Sequence, residues 1–82
     1  MRRIANNKKQ APIGLRLRAE AEAAAIKEAS TTGKVASTVA ADVVTTPRAM
    51  TVPVTVVMED GTRLNYEYRC DNGGNYCKLW KV

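Results

Sequence analysis

Apolar and polar residues alternate with a period of two only in the last third of the chain. Leu64, Tyr66, Tyr68 and Cys70 interleave with Arg63, Asn65, Glu67 and Arg69, as expected of a strand with one buried and one wet face. Upstream, Val52, Val54, Val56 and Met58 form a matching face. Three antiparallel strands are therefore predicted over residues 51–58, 62–70 and 75–82. Glu59-Asp60-Gly61 joins the first two, and a turn centred on Gly73-Gly74 joins the last two.

Turn chemistry selects the register. A two-residue Asp60-Gly61 turn would set Val57 beside Leu64 and mix the faces. A three-residue loop with Gly61 left-handed pairs Val56 with Leu64, Val54 with Tyr66 and Val52 with Tyr68. That loop leaves Pro53 at a non-bonded position of an edge strand, where its missing N–H costs nothing. A loop of two or four residues about Gly73-Gly74 sets Cys70 opposite Cys77 and Tyr68 opposite Leu79. The predicted strand order is one-two-three, with the first and third strands as edges.

The pattern changes upstream. Residues 15–30 are dominated by Ala, Leu, Glu, Lys and Arg, all strong helix formers. Leu15, Ala19 and Ile26 mark one thin stripe, and Leu17, Ala21 and Ala24 its neighbour. Arg16 with Glu20 and Arg18 with Glu22 share faces at a spacing of four. Gly33 offers a helix stop. Residues 34–46 fit two states equally: Val35, Val39 and Val43 recur every four residues, as in a short second helix, while the β-branched content suits an extended connector. Residues 1–13 are polar, basic and aperiodic, and predict an extended arm. The fold class is α+β. An arm over 1–13 precedes one small domain over 14–82, made of a helix, a connector over 34–50 and a three-stranded meander.

Charge sharpens this division. Of 82 residues, the first 18 hold Arg2, Arg3, Lys8, Lys9, Arg16 and Arg18 and no acid, while the remainder carries seven bases and eight acids. A near-neutral body with a cationic start points to contact with a polyanion or an acidic protein surface; a solvated tail is the plainer reading. No stretch approaches the roughly 20 apolar residues of a membrane span, and the first 30 lack the apolar core of a secretory signal. A cytoplasmic or virion-associated setting is expected, with no membrane partner.

The chain has no histidine, which removes the commonest general base and metal ligand near neutral pH. Two cysteines cannot complete a four-ligand zinc site. No acid pair, nucleophile elbow, phosphate loop or CxxC motif occurs, so no catalytic residue, metal, cofactor or small-molecule substrate is expected. For Cys70 and Cys77 the reading favours two reduced core thiols, with a cross-strand disulfide as the alternative. Trp80, with Lys78, Lys81, Arg69 and Tyr76, makes a patch suited to base stacking, to protein docking or to cover by this chain's own helix.

The absence of Phe and the weight of Ala and Val imply a thin core that a partner or homo-oligomer would complete. The expected function is a non-enzymatic structural or interaction subunit of a larger assembly, such as a small virion capsid or cement protein or an accessory subunit of a nucleoprotein complex. It would dock by its sheet and anchor by the arm residues Arg2, Arg3, Lys8, Lys9, Arg16 and Arg18. The alternatives are a small nucleic-acid-binding protein, with the arm on phosphates and Trp80 stacking, and an inhibitor masking a partner's site.

Overall fold

A computed structural model describes residues 13–82. The elements follow in the order α1 (Ile13–Ala29), β1 (Val35–Ala40), β2 (Val44–Thr45), β3 (Ala49–Met58), β4 (Arg63–Asp71) and β5 (Lys78–Lys81). The fold is α+β: one helix lies on one face of an antiparallel sheet ordered β1-β3-β4-β5, with β2 also paired to β3. Ile13 opens the helix, two residues before the predicted start at Leu15. Arg2, Arg3, Lys8 and Lys9 lie outside the described residues.

Both hairpins close in the same way. Met58 N donates to Thr62 O at 2.8 Å and Gly61 N to Met58 O at 2.9 Å; Asp71 N donates to Asn75 O at 2.8 Å and Gly74 N to Asp71 O at 3.0 Å. Each loop thus holds three residues and ends on a left-handed glycine, Gly61 at φ 91° and Gly74 at φ 80°. In each, an aspartate accepts from the turning backbone: Asp60 Oδ1 from Thr62 N, and Asp71 Oδ1 from Gly73 N and Asn75 N. The first loop sets Val56 against Leu64, Val54 against Tyr66 and Val52 against Tyr68, as its turn chemistry predicts. The second is neither of the two symmetric loops expected. Tyr76 is inserted after it at φ 53°, and this extra residue restores the pairing of Tyr68 with Leu79. Cys70 and Cys77 then meet, with Cα atoms 4.0 Å apart and their sulfurs bonded, so the pair is a cross-strand disulfide and not two reduced core thiols.

The connector is neither helical nor loose. Its β-branched residues form β1 and β2, which run along one side of β3. The expected three-stranded meander is therefore the second half of a five-stranded sheet, and its first strand is central rather than an edge. The two short strands divide where Pro53 intervenes. Ala41 N donates to Pro53 O at 2.9 Å, but proline has no N–H to return the bond, and β1 ends there.

The core lies between α1 and the sheet. Met50, Val52, Val54, Val56, Met58, Tyr66 and Cys70 point toward the helix and are buried, and Leu17, Ala21, Ala25 and Ala29 face them. Leu17 and Ala21 belong to the second predicted stripe, which continues through Ala25 rather than Ala24. The first stripe faces outward: Leu15 and Ile26 are exposed. A ridge of alanines lets the helix backbone approach the sheet closely, so the large side chains of the interface come mainly from the strands. The helix ends at Ala29, before Gly33, because hydroxyls take its last carbonyls. Ser30 Oγ donates to Ile26 O, Thr31 Oγ1 to Glu28 O and Thr32 Oγ1 to Ala29 O, meeting acceptors that a helix end leaves unsatisfied.

Candidate functional site

Among the described residues, α1 covers one face of the sheet and no element covers the other. On the other, the outward residues of β3 (Thr51, Pro53, Thr55 and Val57) are half-buried by their neighbours alone. Val39 on β1, Val44 on β2 and Trp80 on β5 flank them at 64%, 54% and 45% exposure. Val39 pairs with Thr55 and Val44 with Thr51, while Pro53, Glu67 and Trp80 form one row across three strands. The open face is thus a β-branched strip bounded on one side by an aromatic residue and charges.

Trp80 sits among cations of its own chain. Arg69 Cζ is 5.3 Å and Lys78 Nζ 4.9 Å from its ring centroid, within cation–π range. Arg69 and Lys78 stand directly opposite each other, a like-charge pairing that is unfavourable by itself. Glu67 relieves it, accepting from Arg69 Nη2 at 2.6 Å and Nε at 3.0 Å. The result is a compact group of two bases, one acid and an indole.

Of the five residues predicted for this patch, Trp80, Lys78 and Arg69 come together. Lys81 does not: it pairs with the core residue Tyr66, which places it one strand position from Trp80 and on the helix-side face. Tyr76 lies outside β5 and is 92% exposed, in a left-handed conformation that L side chains adopt at a cost. Arg16 and Arg18 are both engaged by the fold. Arg16 donates to Glu20 at 2.8 Å and to Gly74 O at 3.1 Å, tying the helix to the second hairpin. Arg18 does not pair with Glu22; it donates to Ala40 O at 3.0 Å and lies 3.4 Å from Asp42. A spacing of four suggested the partner, but β1 brings a carbonyl and a carboxylate closer.

A concavity of about 580 Å³ opens where the end of α1 meets the first hairpin. Met58, Leu64 and Tyr66 line it, with Glu28, Lys34 and Lys81 among its charged residues. Burial and the nearby Glu28 carboxylate raise the Tyr66 phenol above its ordinary value of 10.0. Tyr68 is raised by burial first and then by Glu20, whose Oε1 accepts from its hydroxyl at 3.2 Å. Sequence patterning missed this concavity, because it forms between residues some 30 positions apart.

No helix among the described residues is long and apolar enough to cross a membrane. Comparison of the chain with family models, curated proteins and solved structures finds no match.

Proposed function

We propose that this chain is a non-enzymatic structural subunit that docks on a protein partner through the open face of its sheet. The observation that supports this reading most is the asymmetry of burial. The helix seals one face, while Val39, Val44 and Trp80 stand exposed on the other. Exposed apolar residues rimmed by charge are typical of interaction sites, and tryptophan and arginine are enriched among residues that dominate binding energy. Tyr76 adds to the argument: an aromatic residue held exposed at positive φ gives its own fold nothing that a glycine would not. Arg2, Arg3, Lys8 and Lys9 would supply an electrostatic anchor and speed encounter with an acidic partner.

Native co-purification with the full-length chain, compared with Trp80→Glu, tests the reading. The variant should keep its circular dichroism spectrum and lose the captured partner. Capture of the same proteins in the same amounts by both chains would refute docking through this face.

Arg69 and Lys78 beside Trp80 favour a second reading, binding of single-stranded nucleic acid by stacking and phosphate contact. It requires affinity that falls steeply with salt. Capture that survives nuclease and moderate salt would exclude it and leave the protein-docking reading in place.

A further inference from the structure

α1 ends at Ala29, and the chain returns through Gly33 into β1. The helix-side residues at the closed end of the first hairpin therefore have no further helical turn above them. They floor the concavity of about 580 Å³, a volume in the range of small-molecule sites, about 300–1,000 Å³. Met58 and Leu64 make that floor apolar, and Tyr66 stands beside them.

Tyr66 is only 4% exposed, yet among the described residues its hydroxyl has no hydrogen-bond partner. It is not sealed in either, because the buried polar atoms without a partner are Arg18 Nε and Thr38 Oγ1. Tyr68, by contrast, donates its hydroxyl to Glu20. Buried polar groups are ordinarily paired, so a buried phenol whose O–H opens into a hollow is a donor held ready for a ligand. Four elements bring charge to the rim: Glu28 from α1, Lys34 from the turn into β1, Glu59 from the first loop and Lys81 from β5. Asp60 also lines the hollow but is bound into its own turn by Thr62 N. The ion pairs among the described residues are Arg16–Glu20, Arg18–Asp42 and Arg69–Glu67, and none of them uses the two acids and two bases of the rim. Lys81 stands directly opposite Tyr66, and Glu28 lies near enough to raise its phenol. An acid, a base and an unused O–H thus converge over an apolar floor.

We propose that this hollow binds an apolar zwitterion of amino-acid type, free or as a short peptide, carrying one ammonium and one carboxylate. The carboxylate accepts from the Tyr66 hydroxyl and faces Lys81. The ammonium faces Glu28, and the apolar body rests on Met58 and Leu64. Charge balance carries the choice. A simple anion would meet two carboxylates on the rim and a simple cation two ammoniums, whereas a dipolar ligand gives each sign a partner. The lack of catalytic groups, which argued against a substrate, does not bear on binding. The hollow lies on the helix side of the sheet and the docking surface on the other, so the two readings stand or fall separately.

Nitrogen–proton correlation NMR of the full-length chain, titrated with L-phenylalanine, tests the site. Shifts are expected at Glu28, Leu64, Tyr66 and Lys81, with a Kd of about 1 mM or tighter. Phenethylamine and hydrocinnamate keep the ring but only one charge each, and should bind about tenfold more weakly. Tyr66→Phe, Lys81→Met and Glu28→Gln should each weaken L-phenylalanine binding about fivefold. The dipeptide diphenylalanine separates the two sources: tighter binding than L-phenylalanine assigns the site to peptides, and weaker binding assigns it to the free amino acid. No shift with either zwitterion at about 10 mM, past the weak end of specific association, would overturn the proposal. So would equal affinity for the single-charge analogues, or shifts confined to the Trp80 face. Nuclear Overhauser contacts in the free chain between residues 1–12 and the Tyr66 ring would also overturn it, by making the arm the occupant. Should Tyr66→Phe fail to fold, Lys81→Met and Glu28→Gln, both at exposed positions, decide.

Discussion

Gly61 and Gly74 occupy the same position in the same type of loop, at φ 91° and 80°, yet their surroundings differ completely. A Cβ at Gly61 would meet nothing within 4 Å. At Gly74 it would lie 2.5 Å from Ile13 Cδ1 and 2.9 Å from Arg16 Nη2. Gly61→Ala should therefore cost only the left-handed penalty, about 1–2 kcal/mol. Gly74→Ala carries the same penalty and further losses. Ile13 Cδ1 is the end of a flexible side chain and can swing aside, but doing so uncovers the loop. The Arg16 bond to Gly74 O, 3.1 Å long, would be displaced at a cost of about 0.5–1.5 kcal/mol. The total is about 2–4 kcal/mol, and the difference between the variants, about 1–2 kcal/mol, measures docking of the second hairpin on the start of the helix. Urea unfolding of both variants with the disulfide intact reads this difference directly from the midpoints, provided the slopes agree. Equal losses, within about 0.5 kcal/mol, would show that the helix start does not hold the hairpin, and the account of Arg16 as a structural tie would fail.

Other outcomes follow from the same packing. Ala21 is fully buried against the sheet, so Ala21→Leu should push α1 away and destabilise by about 1–3 kcal/mol; thermal unfolding checks this, and a stabilised variant would reveal unfilled space beneath the helix. Replacing Cys70 and Cys77 together by Ser opens a bridge of sequence separation 7 and should cost about 2–3 kcal/mol. Amide exchange should then quicken first in β5, and uniform acceleration would contradict a local role for the bridge. Tyr66 and Tyr68 both titrate above the ordinary phenol value of 10.0, so the folded state holds their protons more tightly than the unfolded chain. Their contribution is fully present below pH 10 and is lost as pH rises through the folded values. Tyr66→Phe should flatten that alkaline decline in a series of unfolding curves, and an unchanged decline would assign it elsewhere.

The meander and its first loop were legible because period-two alternation and a glycine forced left-handed leave one register that keeps faces unmixed. The helix was legible from propensity, but its orientation was not. Leu15 and Ile26 are larger than Ala25 and Ala29, yet the alanines turn inward, since the sheet supplies the bulk and rewards close approach. The open-face group was readable from strand phase for Trp80, Lys78 and Arg69. Lys81 was misplaced by neighbouring in sequence, although the same phase puts it on the other side.

Local sequence therefore determined which segments become helix and strand in the well-patterned parts, and the register across Gly61. Tertiary structure decided what local signals left balanced. The valines of 34–46, spaced for a helix and branched for a strand, became β1 and β2 because β3 had a free side to satisfy. Tyr76 took a left-handed backbone because the second loop holds three residues and the downstream register demands one more. Arg16 kept its pair with Glu20 and added the Gly74 carbonyl, while Arg18 left Glu22 for the Ala40 carbonyl and Asp42. In each case the deciding partner lies more than 10 residues away or across a strand pair, and such a contact has no trace in local periodicity.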